Sequence, residues 1–162
     1  MNTLIGDHSE LLPAAYLLKP NKPNQLGDLS LTLQLLINPR ANNLIGVSQV
    51  YATTDTNTNV QSSVDGDWQY IPSVNKPTIV IVLNGVCATK VRFNGEVKEV
   101  ENLKVRLLLN EDWQFGYGMF EYKKEGTWHK VASAVAQLDE RTGSEKLDRL
   151  YTLCESVKTH AY

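Results

Sequence analysis

From residue 29 to residue 37 the chain alternates by twos: Leu29, Leu31, Leu33, Leu35 and Ile37 are spaced by Ser30, Thr32 and Gln34. Period two is the mark of a strand with one buried face, whereas a helix needs apolar residues three and four apart. Asn38-Pro39 stops this strand, because proline donates nothing to a ladder. The loop over 38–43 suits a hairpin, and 44–52 reads as the return strand, with Gly46 marking a bulge or close packing. A polar loop covers 53–59. Val60, Ser62, Val64, Trp68 and Tyr70 then share one face of a further strand, with Gly66 inside the run and Pro72 closing it.

The most apolar strand is 78–87. Ile79, Ile81 and Leu83 point one way and Val80, Val82 and Val86 the other, so both faces are expected to be covered, the outer one by a C-terminal helix or an N-terminal arm. Two short strands, 90–93 and 96–100, flank Asn94-Gly95, a strong hairpin signal because both positions tolerate positive φ. Leu103, Val105, Leu107 and Leu109 alternate with Lys104 and Arg106 in the next strand, which turns at 110–112. Strands at 115–123 and 127–134 close a last hairpin through Lys124-Glu125-Gly126. The period then changes: Leu147, Leu150, Tyr151, Cys154 and Val157 fall on one helix face. Thr142 with Glu145 fits a capping box, and Ser144 is a rival N-cap. So short a helix is marginal alone in water and should dock on the sheet.

Short sequential connections favour antiparallel neighbours. The fold read from the sequence is mainly β, an antiparallel β-sandwich or flattened β-barrel of about eight strands with a C-terminal α-helix. Residues 1–27 form an N-terminal arm in which 14–18 reads as a short edge strand between Pro13 and Pro20. Residues 28–138 form the core, and 142–160 the helix packed on the same domain.

Composition narrows function mostly by exclusion. At 162 residues, 42% hydrophobic and 21% charged, the chain is an ordinary globular domain. A net charge of −2 gives no electrostatic reason for nucleic acid. Asp7 and Glu10 precede a short apolar run broken by Pro13, so no secretory signal is expected, and no run approaches a membrane span. A cytoplasmic location follows as the default expectation, with non-classical export left open. Cys87 and Cys154 match no metal spacing and read as two buried, reduced thiols.

Candidate chemistry is sparse. Asp55, Asn57 and Asn59 have the spacing of the first half of a calcium loop, and Asp65 and Asp67 would converge on them; Val60 and Gly66 stand where the loop needs glycine and glutamate. His8, His129 and His160 are too far apart for a ligand pair, and His129 is expected to face solvent. There is no G-x-S-x-G, dinucleotide fingerprint or phosphate loop, and no cofactor is implied. The carboxylate pairs Glu99 with Glu101 and Glu111 with Asp112 lie in turns with no apolar setting. Trp68, Tyr70, Trp113 and Trp128 are the candidate ligand-binding residues, as flat apolar platforms with polar edges. Trp113, in an acidic turn, is the expected exposed one. The competing reading places these rings in the core.

The stretches 29–37, Val64-Asp65-Gly66-Asp67-Trp68-Gln69-Tyr70, 107–113, Gly116-Tyr117-Gly118 and Gly126-Thr127-Trp128-His129 resemble a family of small bacterial proteins known only as a domain of unknown function, number eighteen forty-two. The resemblance covers roughly 15–135 and implies a mainly β fold with no established activity. Three functions remain in view. The first is a non-enzymatic binding or protein-interaction module presenting loops 53–59, 65–67 and 110–114 to a protein or a neutral small molecule. The second is a small barrel holding an apolar ligand. The third is a carboxylate-dependent enzyme. Open sheet edges and exposed aromatics would call for cover by a second copy of the chain.

Overall fold

The alternation reads out as eight strands: β1 (Leu12–Pro20), β2 (Leu29–Asn38), β3 (Asn43–Ala52), β4 (Asn59–Ile71), β5 (Thr78–Lys90), β6 (Val97–Asn110), β7 (Phe115–Lys124) and β8 (Thr127–Leu138). The structure is a computed structural model and describes residues 11–21, 29–55, 57–73, 76–90 and 97–139. Each strand pairs antiparallel with the next, and β1 also pairs with β8, which closes the sheet into a barrel in simple meander order. At the seam, Tyr16 lies opposite Leu138 and Pro20 opposite Ala134. Hydrogen bonds from Asn21 N to Ser133 O (3.0 Å) and from Asp139 N to Ala15 O (2.7 Å) extend it at both ends.

Closure decides between the two expected architectures, in favour of a barrel over a sandwich. A sandwich keeps edges, and here the segment expected as an edge strand has β2 on one side and β8 on the other. Its prolines, Pro13 and Pro20, stand at its second and last residues, where a missing N–H interrupts the ladder least. The expected breaks after Cys87 and between Val100 and Leu103 also disappear: β5 runs on to Lys90, and β6 is continuous from Val97 to Asn110. Gly85 pairs with Leu103 but Val86 pairs with Glu101, so Asn102 is a surplus residue. This bulge inverts the alternation, and a reader of periods mistakes the inversion for a strand end. The Asn94-Gly95 turn and the helix at 142–160 lie outside the described residues, as does Cys154.

The inward rows fill the lumen. Leu31, Leu33, Ile37, Ile79, Ile81, Leu83, Leu103, Leu107 and Phe120 have no exposed surface. Eight staves enclose a space just wide enough for side chains, and each such residue contributes about 1.5–3 kcal/mol by leaving water. On the outer face of β5 Val82 is 40% exposed, and no described element lies over it. Cys87 is half-buried.

Glycines let the wall bend. A Cβ on Gly66 would stand 1.8 Å from the Val82 carbonyl oxygen of β5, and one on Gly46 2.0 Å from the Gln34 carbonyl oxygen of β2. Both residues permit a backbone approach that any side chain blocks. Gly66→Ala should therefore destabilise the barrel by about 1–3 kcal/mol through forced strand separation. Urea unfolding followed by tryptophan fluorescence measures this, and an unchanged midpoint would contradict the packing.

Candidate functional site

One rim of the barrel is built around two tryptophans. On β4, Trp68 points inward and is 2% exposed. Its indole Nε1 donates to Asn38 O at 3.1 Å, and its backbone N to Asn42 O at 3.0 Å. The β2–β3 turn makes this possible: Asn38 Oδ1 accepts from the backbone N of Arg40 and Ala41, and Asn42 takes a positive φ of 55°. Asparagine tolerates that conformation better than most residues. Trp113 lies in the β6–β7 turn with a φ of 66° and no exposed surface. Its ring meets Trp68 edge-on, with centroids 5.2 Å apart and planes at 72°. Tyr16 Oη donates to Trp113 O at 2.7 Å, and Trp113 N donates to Asn110 O at 2.9 Å.

The expected exposure of Trp113 is thus corrected. An acidic turn normally faces water, but the left-handed backbone at this residue swings the indole over the open end of the lumen. The apolar area removed from water, together with the Tyr16 bond, outweighs the backbone strain of about 1–3 kcal/mol. Tyr70 is half-buried against the core, also on the inner face. Among the four aromatic candidates Trp128 alone is exposed, at 39%, with Lys104 Nζ 5.0 Å from its ring centre. The structure brings Trp68 and Trp113 together and leaves Trp128 apart from them, on the outer face of β8.

The five residues of the calcium reading do not converge. Asp55 Oδ1 accepts from Asn57 N at 3.1 Å, while Oδ2 accepts from Thr58 Oγ1 and from Lys124 Nζ, each at 3.1 Å. Asn59 Oδ1 is engaged by Gln49 Nε2 at 3.0 Å. Asp65 and Asp67 stand on the exposed outer face of β4. At about 3.3 Å per residue, Asp65 lies about 20 Å along the strand from Asn59. No group of three or more His, Cys, Asp or Glu side chains that would hold a metal occurs among the described residues.

What the loop at 53–58 does instead is tie the other end of the barrel. Lys124, at the end of β7, reaches it across the lumen mouth and also donates to Thr58 Oγ1 at 2.9 Å. Beneath it, Tyr122 stacks on His129 with centroids 5.2 Å apart. Burial pushes the Tyr122 hydroxyl up from its ordinary 10.0. The Lys124 hydrogen bond, joined by those from Asn57 and Thr58, holds the Asp55 carboxyl below its ordinary 3.8. The carboxylate accepts three hydrogen bonds here, which fix its direction and favour its charged form.

Surface depressions mark the wall among the described residues. A cleft of about 480 Å³ is lined by Ser48, Gln49, Gln61, Ser62, Ser63 and neighbours from β2 and β5. A groove of about 730 Å³ shares Thr32, Gln34, Val47 and Gln49 with it and extends over β1 to Pro13 and Ala15. Separately, Val82, Leu108, Phe115 and Tyr117 are 40%, 53%, 39% and 48% exposed on β5, β6 and β7. The sequence places Val82 outward but under cover, and it shows neither the depressions nor the alignment of these four residues. Serine and glutamine carry no motif, and an outward apolar residue in an alternating strand becomes visible as a patch only once register aligns it with its neighbours.

The sequence profile of a family described as Domain of unknown function (DUF1842) matches residues 11–128. No curated protein matches the chain.

Two measurements test this geometry. Trp113→Ala should lower stability by about 3–5 kcal/mol in chemical denaturation, as for removal of a fully buried indole; a loss near zero would mean that the ring is exposed. Asp55 is held down in the folded state, so its contribution to stability is complete above 3.8 and fades as pH falls below that value. In Lys124→Met the Asp55 titration, followed by carboxyl ¹³C NMR, should move up toward 3.8, and an unmoved titration would break the assigned bond.

Proposed function

The chain belongs to the DUF1842 family, and on that premise we propose that it is a non-enzymatic binding module whose partner is another protein, held by the outer wall of β5–β8. The observation that carries this reading is an apolar row across adjacent staves. Val80 lies opposite Leu108, Leu108 opposite Tyr117, and Tyr117 opposite Val135. Phe115 and Tyr117 meet edge-to-face at 5.6 Å on the same wall. Apolar side chains aligned in this way, with aromatic rings among them, have the composition of an interface centre.

The loops that the sequence offered for presentation are otherwise engaged. Trp113 is folded into the lumen, residues 65–67 belong to β4, and the 53–58 loop is tied to Lys124. A filled lumen argues against an apolar ligand inside. The wall is apolar within and largely polar without, the reverse of a membrane-spanning barrel, which favours a partner met in water. With a net charge of −2, recognition rests on apolar contact more than on charge.

The test is comparative co-purification with the wild-type chain and the double variant Leu108→Lys/Tyr117→Lys. Both changes are on exposed positions, so circular dichroism and melting temperature should be unchanged. A bona fide partner should be depleted at least about tenfold with the variant, matching a loss of 1.4 kcal/mol or more at an interface centre. If every co-purifying protein is retained equally by both chains, this wall is not the interface.

A further inference from the structure

The outer wall of β1–β3 carries a second set of apolar side chains. Pro13 lies opposite Leu36, and Leu36 opposite Ile45, so three adjacent staves present one row. Val47 follows on the same face of β3, opposite Gln34, whose other neighbour is Ala15. Leu36, Ile45 and Val47 are 38%, 52% and 52% exposed. Pro13, Ala15, Leu36 and Val47 line the groove of about 730 Å³. At about 4.8 Å between staves the row is about 10 Å wide, which is the diameter of a helix.

The chain itself enters this groove. Asp139 is part of the lining, and its backbone N donates to Ala15 O at 2.7 Å. The last described residue beyond β8 is therefore bound to β1. Residues 140–162 lie outside the described residues. Their sequence puts Leu147, Leu150, Tyr151, Cys154 and Val157 on one face at helical spacing, and Glu145, Arg149, Thr152 and Ser156 on the opposite one. The three steps from Asp139 to Thr142 reach at most about 10 Å, or two staves.

We propose that the groove over β1–β3 is the seat of residues 142–157, docked as an amphipathic helix with Leu147, Leu150, Tyr151 and Cys154 against Leu36, Ile45 and Val47. A helix of this length gains little by forming alone in water, so its order comes from the apolar surface it meets. The tether supplies that surface at high effective concentration, because the segment starts from the groove's own lip. The outer face of β5, which the sequence also offered to this helix, lies three staves beyond β8, and the linker ends short of it. The chain thereby covers one apolar wall itself and leaves that of β5–β8 to a partner. The two readings rest on different walls.

Hydrogen exchange followed by mass spectrometry on the full chain tests this placement. In the wild type, amides of 145–157 should exchange at least about tenfold more slowly than an unstructured chain, since protection reports the free energy of local opening. Ile45→Lys/Val47→Lys changes outward, exposed positions and should abolish that protection, while peptides of β4 keep theirs. Leu150→Lys, which leaves the barrel untouched, should release the segment likewise. Leu108→Lys/Tyr117→Lys should leave it protected. Fast exchange over 145–157 in the wild type, or protection that survives both the β3 pair and Leu150→Lys, would overturn the proposal and leave the β5–β8 reading standing. Release by Leu108→Lys/Tyr117→Lys would overturn it too, and would put the segment on the wall assigned to the partner.

Discussion

The structure depends on one closure: β1 pairing with β2 on one flank and β8 on the other. Without it the sheet would end in two unpaired edges, each a row of donors and acceptors open to other chains. With it, every inward row faces the rest, and the lumen becomes a core. The closure is made across most of the chain's length, since Tyr16 meets Leu138. Such a contact has a high entropic cost before it yields anything. The burial of Tyr16 and Leu18, each with almost no exposed surface, secures the seam once it forms.

The local half of this fold is legible in the sequence, and the long-range half is not. The strict period of Leu29 to Ile37 places β2 and its buried face correctly, because one residue's inward direction fixes the next. Nothing in residues 12–20 says that they will find β8, so that segment reads as an arm. Asn102 misleads in a different way. A single surplus residue reverses which side chains face inward, and one strand then looks like two. Trp113 misleads most, because its position is set by a positive φ that its acidic neighbours do not advertise.

The same causes govern what could be read of function. Motif reasoning finds groups of like residues close in sequence, such as Asp55, Asn57 and Asn59, and the structure spends these on an Asx-type turn and a tie to Lys124. The surfaces that stand out in three dimensions are assembled from different strands. The apolar row draws one or two residues from each of four staves, and the groove joins β1, β2 and β3. Neither has a linear signature. Trp68, Trp113 and Phe120 fill the lumen, in contrast to barrels that carry a ligand within, and the proposed recognition therefore falls to the wall.

The meander order carries a last consequence for how the domain is wired to the rest of a polypeptide. β1 begins and β8 finishes at the same rim, on neighbouring staves, with Asp139 N bonded to Ala15 O. The barrel therefore behaves as a bead hung from a single point. It lends itself to circular permutation, and to grafting into a surface loop of a host protein, without any strand being rerouted.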